Sequence, residues 1–360
     1  MREHKEDSMK LTGTNLGEFC CPECKGTLEE ALEAYHCNSC NRKYLIQEGI
    51  PCFSDVSTYH GEVPKPLMSI ILKDSDQLGY RRAFEKHIRD PFIYKYVGDD
   101  TRSLWISIIP HTDRSRFLDI GCGWGTNALP ISREVGLVYA LDATFERVKF
   151  VEIRSRQDGR TNIRPVLGSA IKLPVPNNSL DIVAFNGVLE WLGGIDKKRS
   201  PIELQREALS EAWRVLKPGG YAYIGIENRY SLRYMLGEPD DHSFMRFTSL
   251  MPRNLANLYC YLRTGGPYFT HTHSLAEYCK LLREAHFSKI RSYLPWPDYR
   301  NPTSIIPLER GSVTKHLSSL LSNGSNMSFR QQVYISLLKF LTACEGKGRL
   351  CHSFCFVAQK

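Results

Sequence analysis

Four cysteines, Cys21, Cys24, Cys37 and Cys40, stand as two Cys-x-x-Cys pairs with twelve residues between Cys24 and Cys37. Each pair can place two thiolates on one tight turn. Two such turns brought together by a hairpin give tetrahedral coordination by four sulfurs, which suits zinc. A segment this short cannot bury a sufficient core of its own, so a structural Zn2+ would hold it folded. Cys20 adjoins Cys21 and offers a second register, but the Cys-x-x-Cys spacing favours Cys21. The remaining cysteines show no paired ligand spacing and read as small buried hydrophobes.

A second stretch with chemical potential is Arg116-Phe117-Leu118-Asp119-Ile120-Gly121-Cys122-Gly123-Trp124-Gly125. An apolar strand runs straight into a glycine-rich turn, and Thr126 to Val135 then has the apolar spacing of a helix. Strand, glycine turn and helix make the nucleotide-cradling corner of a doubly wound α/β domain. Glycine suits the turn because the backbone must bend sharply and let a ligand approach. The next strand, Leu137 to Asp142, ends on an acid 21 residues after Gly121. A carboxylate there can accept hydrogen bonds from both ribose hydroxyls of a nucleoside cofactor. NAD-binding folds place an acid similarly, but their fingerprint wants glycine at position 126, where this chain has Thr126. The pattern is Gly-x-Gly-x-Gly instead.

The elements that must position these groups divide the 360 residues into four parts. Residues 1–18 read as a disordered, charged lead-in, 19–56 as the cysteine ribbon and 57–110 as a helical connector or lid. Residues 111–360 read as the α/β domain, with a substrate-side insertion at about 228–273. Within the connector, Val63-Pro64-Lys65-Pro66 reads as an extended linker, and Tyr80 to Ile93 and Thr101 to Ile109 as helices. Net charge is +8 but uneven: residues 1–60 hold six basic and ten acidic side chains, and residues 101–360 hold 34 basic against 22 acidic. A basic body suits an anionic substrate or nucleic acid, and it equally suits a solvated surface. The acidic front end argues against that end tracking a phosphate backbone. No run of eighteen apolar residues suggests a membrane span, and the charged N-terminus lacks the apolar core of a secretory signal. The expectation is a cytoplasmic protein.

Two resemblances sharpen this reading. The ribbon, continued by Tyr44 and Gly49-Ile50-Pro51, resembles the small zinc-ribbon family that partners or precedes several methyltransferases. Further along come Leu173-Pro174-Val175-Pro176 before the strand Asp181–Phe185, then Asn186, and Arg214-Val215-Leu216-Lys217-Pro218-Gly219-Gly220 before the strand Tyr221–Glu227. In this order and spacing they resemble class I S-adenosylmethionine-dependent methyltransferases of the type 11 kind over about residues 115–227. The resemblance implies a Rossmann-like α/β sheet, mostly parallel, with an antiparallel last strand. That strand, His352 to Ala358, would insert between strands five and six.

It also implies roles. Asp119, Gly121 and Gly123 would lie against the methionine moiety of S-adenosyl-L-methionine, Asp142 would bind the ribose, and Ser169 and Ala170 would flank the adenine. Asn186 would contact the amino-acid end. Methyl transfer needs an aligned nucleophile and excluded water, and a hydroxyl acceptor also needs a base. Candidates project from the C-terminal ends of strands four and five: Glu190 and Trp191, then Glu227 to Tyr230. Asp241 and His242, in the polar insertion, are the base candidates. The aromatic loop Trp296 to Pro302 is placed to close over substrate. The leading expectation is methyl transfer to a polar small molecule, sugar or glycan intermediate. An RNA methyltransferase docking through its ribbon is the alternative, and a non-catalytic cofactor-binding subunit is the third.

Overall fold

The computed structural model describes residues 18–56, 59–196, 198–323, 327–346 and 348–360. The lead-in expected over residues 1–18 lies, but for Glu18, outside the described residues. Short segments between turns form the first sheet: β1 (Leu28–Ala31), β2 (Ala34–Cys37), β3 (Lys43–Gln47) and β4 (Ile50–Pro51), antiparallel in that order. Lys25 and Asn41 follow the two cysteine pairs with φ of 60° and 59°. Their amides donate to the carbonyls of Cys21 (2.8 Å) and Cys37 (2.9 Å), which closes each turn beneath its sulfurs.

This small sheet is joined to the body rather than tethered to it. Phe19 packs against Tyr35, Phe53 and, across the boundary, Tyr139 at a centroid distance of 5.8 Å. The Phe53 amide donates to the carbonyl of Leu167 (2.8 Å), and Lys25 pairs with Glu211 at 2.7 Å.

Three helices follow: α1 (Lys65–Leu78), α2 (Tyr80–His87) and α3 (Pro91–Gly98), then a 3-10 segment, Asp100–Ile108. Of the extended linker expected at Val63 to Pro66, Pro64 keeps extended backbone ahead of the helix, while Lys65 and Pro66 open α1. Proline is tolerated there because a first-turn amide has no partner within the helix. The single helix expected over Tyr80 to Ile93 stops at Ile88 and restarts at Pro91, since the residue before proline disfavours helical backbone.

The body is built on β5 (Arg116–Ile120), β6 (Leu137–Asp142), β7 (Ile163–Leu167), β8 (Leu180–Asn186), β9 (Leu216–Glu227), β10 (Ser288–Trp296), β11 (Ser304–Pro307) and β12 (Ser353–Gln359). Their order across the sheet is β11-β10-β12-β9-β8-β5-β6-β7. From β7 to β9 all neighbours are parallel. β12 lies antiparallel between β9 and β10, as expected, while β11 adds an antiparallel edge that the sequence reading did not anticipate. Phe117, Leu118, Val138, Leu141, Val183 and Phe185 are all buried. Such unbroken apolar runs mark parallel strands covered on both faces.

The helix expected over Thr126 to Val135 shrinks to one turn, α4 (Ala128–Ile131), followed by tighter turns at Arg133 and Glu134. Pro130 has no amide to donate there, which removes one of the bonds that would extend the helix. The rest of the body comprises α5 (Phe145–Gln157), α6 (Pro201–Val215), α7 (Leu232–Met235), α8 (Arg253–Thr264), α9 (Leu275–Glu284), α10 (Ser312–Asn323) and α11 (Phe329–Glu345). α7 and α8 lie in the segment between β9 and α9, which the sequence marks as an insertion. The C-terminal ends of β5, β8 and β9 converge, and the candidate residues gather above them.

Candidate active site

The glycine turn after β5 has left-handed backbone at Gly121, Gly123 and Gly125, with φ of 68°, 52° and 80°. A Cβ on Gly121 would meet a Val188 methyl at 2.6 Å, and one on Gly125 would meet a Leu129 methyl at 2.6 Å. At Gly123 the nearest atom would be the Tyr96 hydroxyl at 3.9 Å, so the backbone there is open to a ligand. Asp142, at the tip of β6, accepts from the amides of Gly123 and Thr144, each at 3.0 Å. One carboxylate therefore locks the glycine turn to the neighbouring strand. Gly168 donates to the Asp142 carbonyl (2.9 Å), which places half-buried Ser169 just beyond that strand end; Ala170 is buried in the core.

Asp119 and Asn186 complete this end of the site. Both are buried, and the Asp119 carboxylate oxygens and Asn186 Oδ1 have no protein hydrogen-bond partner. Burial pushes the Asp119 carboxyl up to about 7, against the opposing pull of Arg102. Arg102 donates to the Asn186 carbonyl (2.8 Å) and stacks on Tyr96, 4.5 Å from the ring centroid. Glu62 roofs the turn by accepting from Trp124 Nε1 (2.9 Å) and Arg147 (2.6 Å). Buried acceptors beside an open glycine backbone, with an acid on the next strand, fit the amine and hydroxyls of a nucleoside amino-acid cofactor.

At the far end three charged side chains meet. Glu190 lies in a 3-10 segment (Leu189–Gly194) directly after β8, Glu227 ends β9, and His242 comes from the insertion. His242 Nε2 is 3.9 Å from Glu190 Oε1 and 3.8 Å from Glu227 Oε2, and all three side chains are almost wholly enclosed. Tyr299 donates to the other Glu227 oxygen at 2.8 Å. Burial raises the Glu227 carboxyl to about 7, helped by Glu190 and opposed by His242 and Arg300. For His242, burial favours the neutral ring, but Glu227, Glu190 and Asp240 together outweigh it and lift the imidazole to about 9. The carboxylates around His242, expected from the sequence as a base candidate, thus favour its protonated form in this arrangement. Trp191 lies against its ring, with centroids 4.9 Å apart.

Asp241 is not in this group. Its carboxylate accepts from Tyr234 (2.8 Å) and Arg300 (3.3 Å) and lies 3.5 Å from His352 Nε2. Asp240 stands beside His242 instead, accepting from Tyr268 (3.0 Å) and from the amides of His242 (3.0 Å) and Ser243 (2.8 Å). His271 and His273, also in the insertion, are pushed down by burial to about 3 and about 4, and so serve as neutral packing and hydrogen-bonding groups.

In the ribbon, the sulfurs of Cys21, Cys24, Cys37 and Cys40 all lie within 4.8 Å of one another. Cys21 and Cys40 are 3.6 Å apart, Cys24 and Cys37 3.4 Å. Zinc–sulfur bonds of about 2.3 Å in a tetrahedron separate sulfurs by nearly 3.8 Å, so the four residues fit such an ion. Backbone amides of Gly26 and Arg42 face the sulfurs of Cys24 and Cys40, the support that thiolate ligands need. Cys20 stays out of the group and is buried.

Residues 118–224 match the methyltransferase domain family. The match runs from β5 to β9 and so contains the glycine turn, Asp142, Asn186 and Glu190. The chain is 30% identical over 157 residues to an uncharacterized methyltransferase of Schizosaccharomyces pombe, covering 41% of this chain and 52% of that protein. It is 30% identical over 184 residues to the arsenite methyltransferase of Homo sapiens, covering 47% and 46%. It is 33% identical over 105 residues to the uncharacterized methyltransferase YcgJ of Bacillus subtilis, covering 29% and 38%. The chain thus spans about half or less of these relatives. The crystal structure of YcgJ aligns with 72% of this chain and 95% of its own, at 20% identity and a TM-score of 0.38.

Sequence reasoning missed Arg102, Tyr299 and Asp240 as members of the site. Arg102 lies in the connector and reaches the β8 tip only through the packing of the 3-10 segment, where Trp105 stacks on Tyr223 at 4.0 Å. Tyr299 belongs to the loop already marked as placed to close over substrate. Asp240 adjoins the residue chosen instead. A turn alternates its side chains, and composition alone does not say which acid faces inward.

Proposed function

We propose that the chain is an S-adenosylmethionine-dependent methyltransferase acting on a polar small molecule, sugar or glycan intermediate. The observation that carries this reading is the Gly121–Gly125 turn locked to Asp142 inside the segment that matches the methyltransferase domain family. Bound there, the cofactor would supply a methyl group already activated on a sulfonium. Asp142 would hold the ribose, Asn186 and Asp119 the amino-acid end, and Gly121 and Gly123 the backbone contact. Ser169 and Ala170 are proposed for the adenine, with Ser169 the exposed member of the pair. The connector residues Glu62, Tyr96 and Arg102 roof the turn and exclude water, which an in-line displacement requires.

The acceptor is proposed to enter above Glu190, Glu227 and His242. A buried floor of two carboxylates and an imidazole favours a polar acceptor, because an apolar one would leave those groups without partners. The ribbon is proposed to hold one Zn2+ through Cys21, Cys24, Cys37 and Cys40 and to stabilise the fold. Its salt bridge to Glu211 and its aromatic contacts with Tyr139 support a packing role over RNA docking. The test is transfer of labelled methyl from S-adenosylmethionine into cell extract, separated into RNA and small-molecule fractions. Label in the small-molecule fraction is expected, and label confined to RNA would overturn the acceptor class.

A further inference from the structure

We propose that Glu190, Glu227 and His242 form a divalent-cation site, distinct from the cysteine cluster, that holds an oxygen of the methyl acceptor. The three donor atoms lie within 4.8 Å of one another. His242 Nε2 faces Glu190 Oε1 at 3.9 Å and Glu227 Oε2 at 3.8 Å. Those separations are too long for hydrogen bonds. Ligands about 2.1 Å from one ion lie roughly 3.0–3.4 Å apart at octahedral to tetrahedral angles, so the three side chains would each close in by a few tenths of an ångström to hold it.

The second observation is independent of the cluster's composition. Glu190 is 0% exposed, and neither of its carboxylate oxygens has a hydrogen-bond partner; Glu227 Oε2 also has none. Without an ion the protonated His242 faces these carboxylates only at 3.8–3.9 Å, and buried carboxylates lacking a close donor are costly unless a cation meets them at ligand distance. Meanwhile the outward atoms of the ligands are supported. Tyr299 donates to Glu227 Oε1 at 2.8 Å, leaving Oε2 to the centre. His242 Nδ1 faces Asp240 Oδ1 at 3.9 Å, and Asp240 is itself fixed by Tyr268 (3.0 Å). A carboxylate behind the imidazole and a phenol behind the carboxylate are the outer-shell groups that orient metal ligands.

One imidazole nitrogen and two carboxylates suit a borderline or hard first-row ion such as Mn2+, Fe2+ or Zn2+, whereas four thiolates select a soft one. Three protein ligands leave coordination positions for a hydroxyl or carboxylate oxygen of the acceptor, with Trp191 against the ligand imidazole. The ring nitrogen that binds must give up its proton to solvent as the ion enters. Naming the acceptor as the remaining ligand rests on the methyl-transfer reading; binding of the ion does not.

Mn2+ is the probe, because the thiolate cluster does not compete for it. Full-length protein loaded with a single equivalent of zinc, which the four thiolates take first, is titrated with Mn2+ and free ion is read by electron paramagnetic resonance, with S-adenosylmethionine binding measured on the same samples by calorimetry. The expected result is one Mn2+ per chain, weakened at least tenfold by Glu190→Gln and by His242→Ala and about tenfold by Asp240→Asn. Wild-type protein that binds S-adenosylmethionine but no Mn2+ overturns the metal site and leaves the methyltransferase reading intact. Mn2+ binding unchanged in both Glu190→Gln and His242→Ala overturns it as well. Tetramethylammonium bound in place of Mn2+ would assign the cluster to a cationic acceptor instead. Protein that binds Mn2+ but not S-adenosylmethionine would uphold the site and reject the cofactor.

Discussion

Arg102 donates from Nη2 to the main-chain carbonyl of Asn186 at 2.8 Å. Through this bond the connector grips the tip of β8, between the residues proposed for the cofactor and those proposed for the acceptor. The charge of the same guanidinium opposes the rise that burial imposes on the Asp119 carboxyl. Arg102→Ala leaves the buried Asn186 carbonyl without its donor, a loss of about 1–3 kcal/mol. Urea denaturation of wild type and variant is the check, and an unchanged midpoint would show that the connector is not anchored here.

Asp142 ties the glycine turn to β6 and is proposed to hold the ribose. Asp142→Asn keeps the shape and one acceptor but gives up the charge, and is expected to weaken S-adenosylmethionine binding by about 1–3 kcal/mol. Isothermal calorimetry measures this directly. Full affinity in the variant would move the ribose elsewhere.

Asp119 gives stability a pH dependence of definite sign. Its carboxyl is raised from 3.8 to about 7 by burial, so the folded chain keeps a proton that the unfolded chain releases. Its contribution is present in full below pH 4 and is lost as pH rises through 7. Asp119→Asn removes that loss. In cofactor-free protein the melting temperature of the variant relative to wild type is expected to be higher at pH 8 than at pH 5, and a pH-independent difference would contradict it.

Metal analysis of protein purified without chelator is expected to find about one zinc per chain, as four thiolates require. Its removal by a strong chelator should lower the melting temperature, because the ribbon would lose its cross-link and with it the contacts of Phe19 and Phe53 on the body. Cys37→Ser should reproduce the effect. Retention of the full melting temperature without zinc would count against the structural role.

The sheet was legible in the sequence because its parallel strands are short, mainly apolar runs, most of them closed by glycine or proline turns. β7 has the expected bounds, Ile163–Leu167, and the insertion of β12 between β9 and β10 followed from the resemblance. Local pattern failed where the backbone had two permissible readings. Pro64 and Pro66 can extend a chain or open a helix, and only the burial of Met68 and Ile71 decides. β11 was not anticipated because Ser304–Pro307, four residues long, is too short to show an alternating pattern, and α10 because the Gly311 and Asn323 that bound it mark a turn as readily as helix ends. The residues proposed for the cofactor are contiguous, all falling between Asp119 and Asn186. Those proposed for the acceptor are less so: Glu190, Glu227 and His242 come from three separate segments, and the choice between Asp240 and Asp241 depends on how one turn is rotated by Tyr268 and Tyr234.

β12 occupies the interior of the sheet, hydrogen-bonded to β9 on one side and β10 on the other. During synthesis the strands from β5 to β9 emerge and can pair with one another while β9 still presents an open edge. β10 has no place to dock in its final register until residues 353–359 arrive, so the loop bearing Tyr299 and Arg300 is seated only then. The parallel half of the sheet must therefore persist with an exposed apolar edge, a window in which a nascent chain is prone to pair with its neighbours.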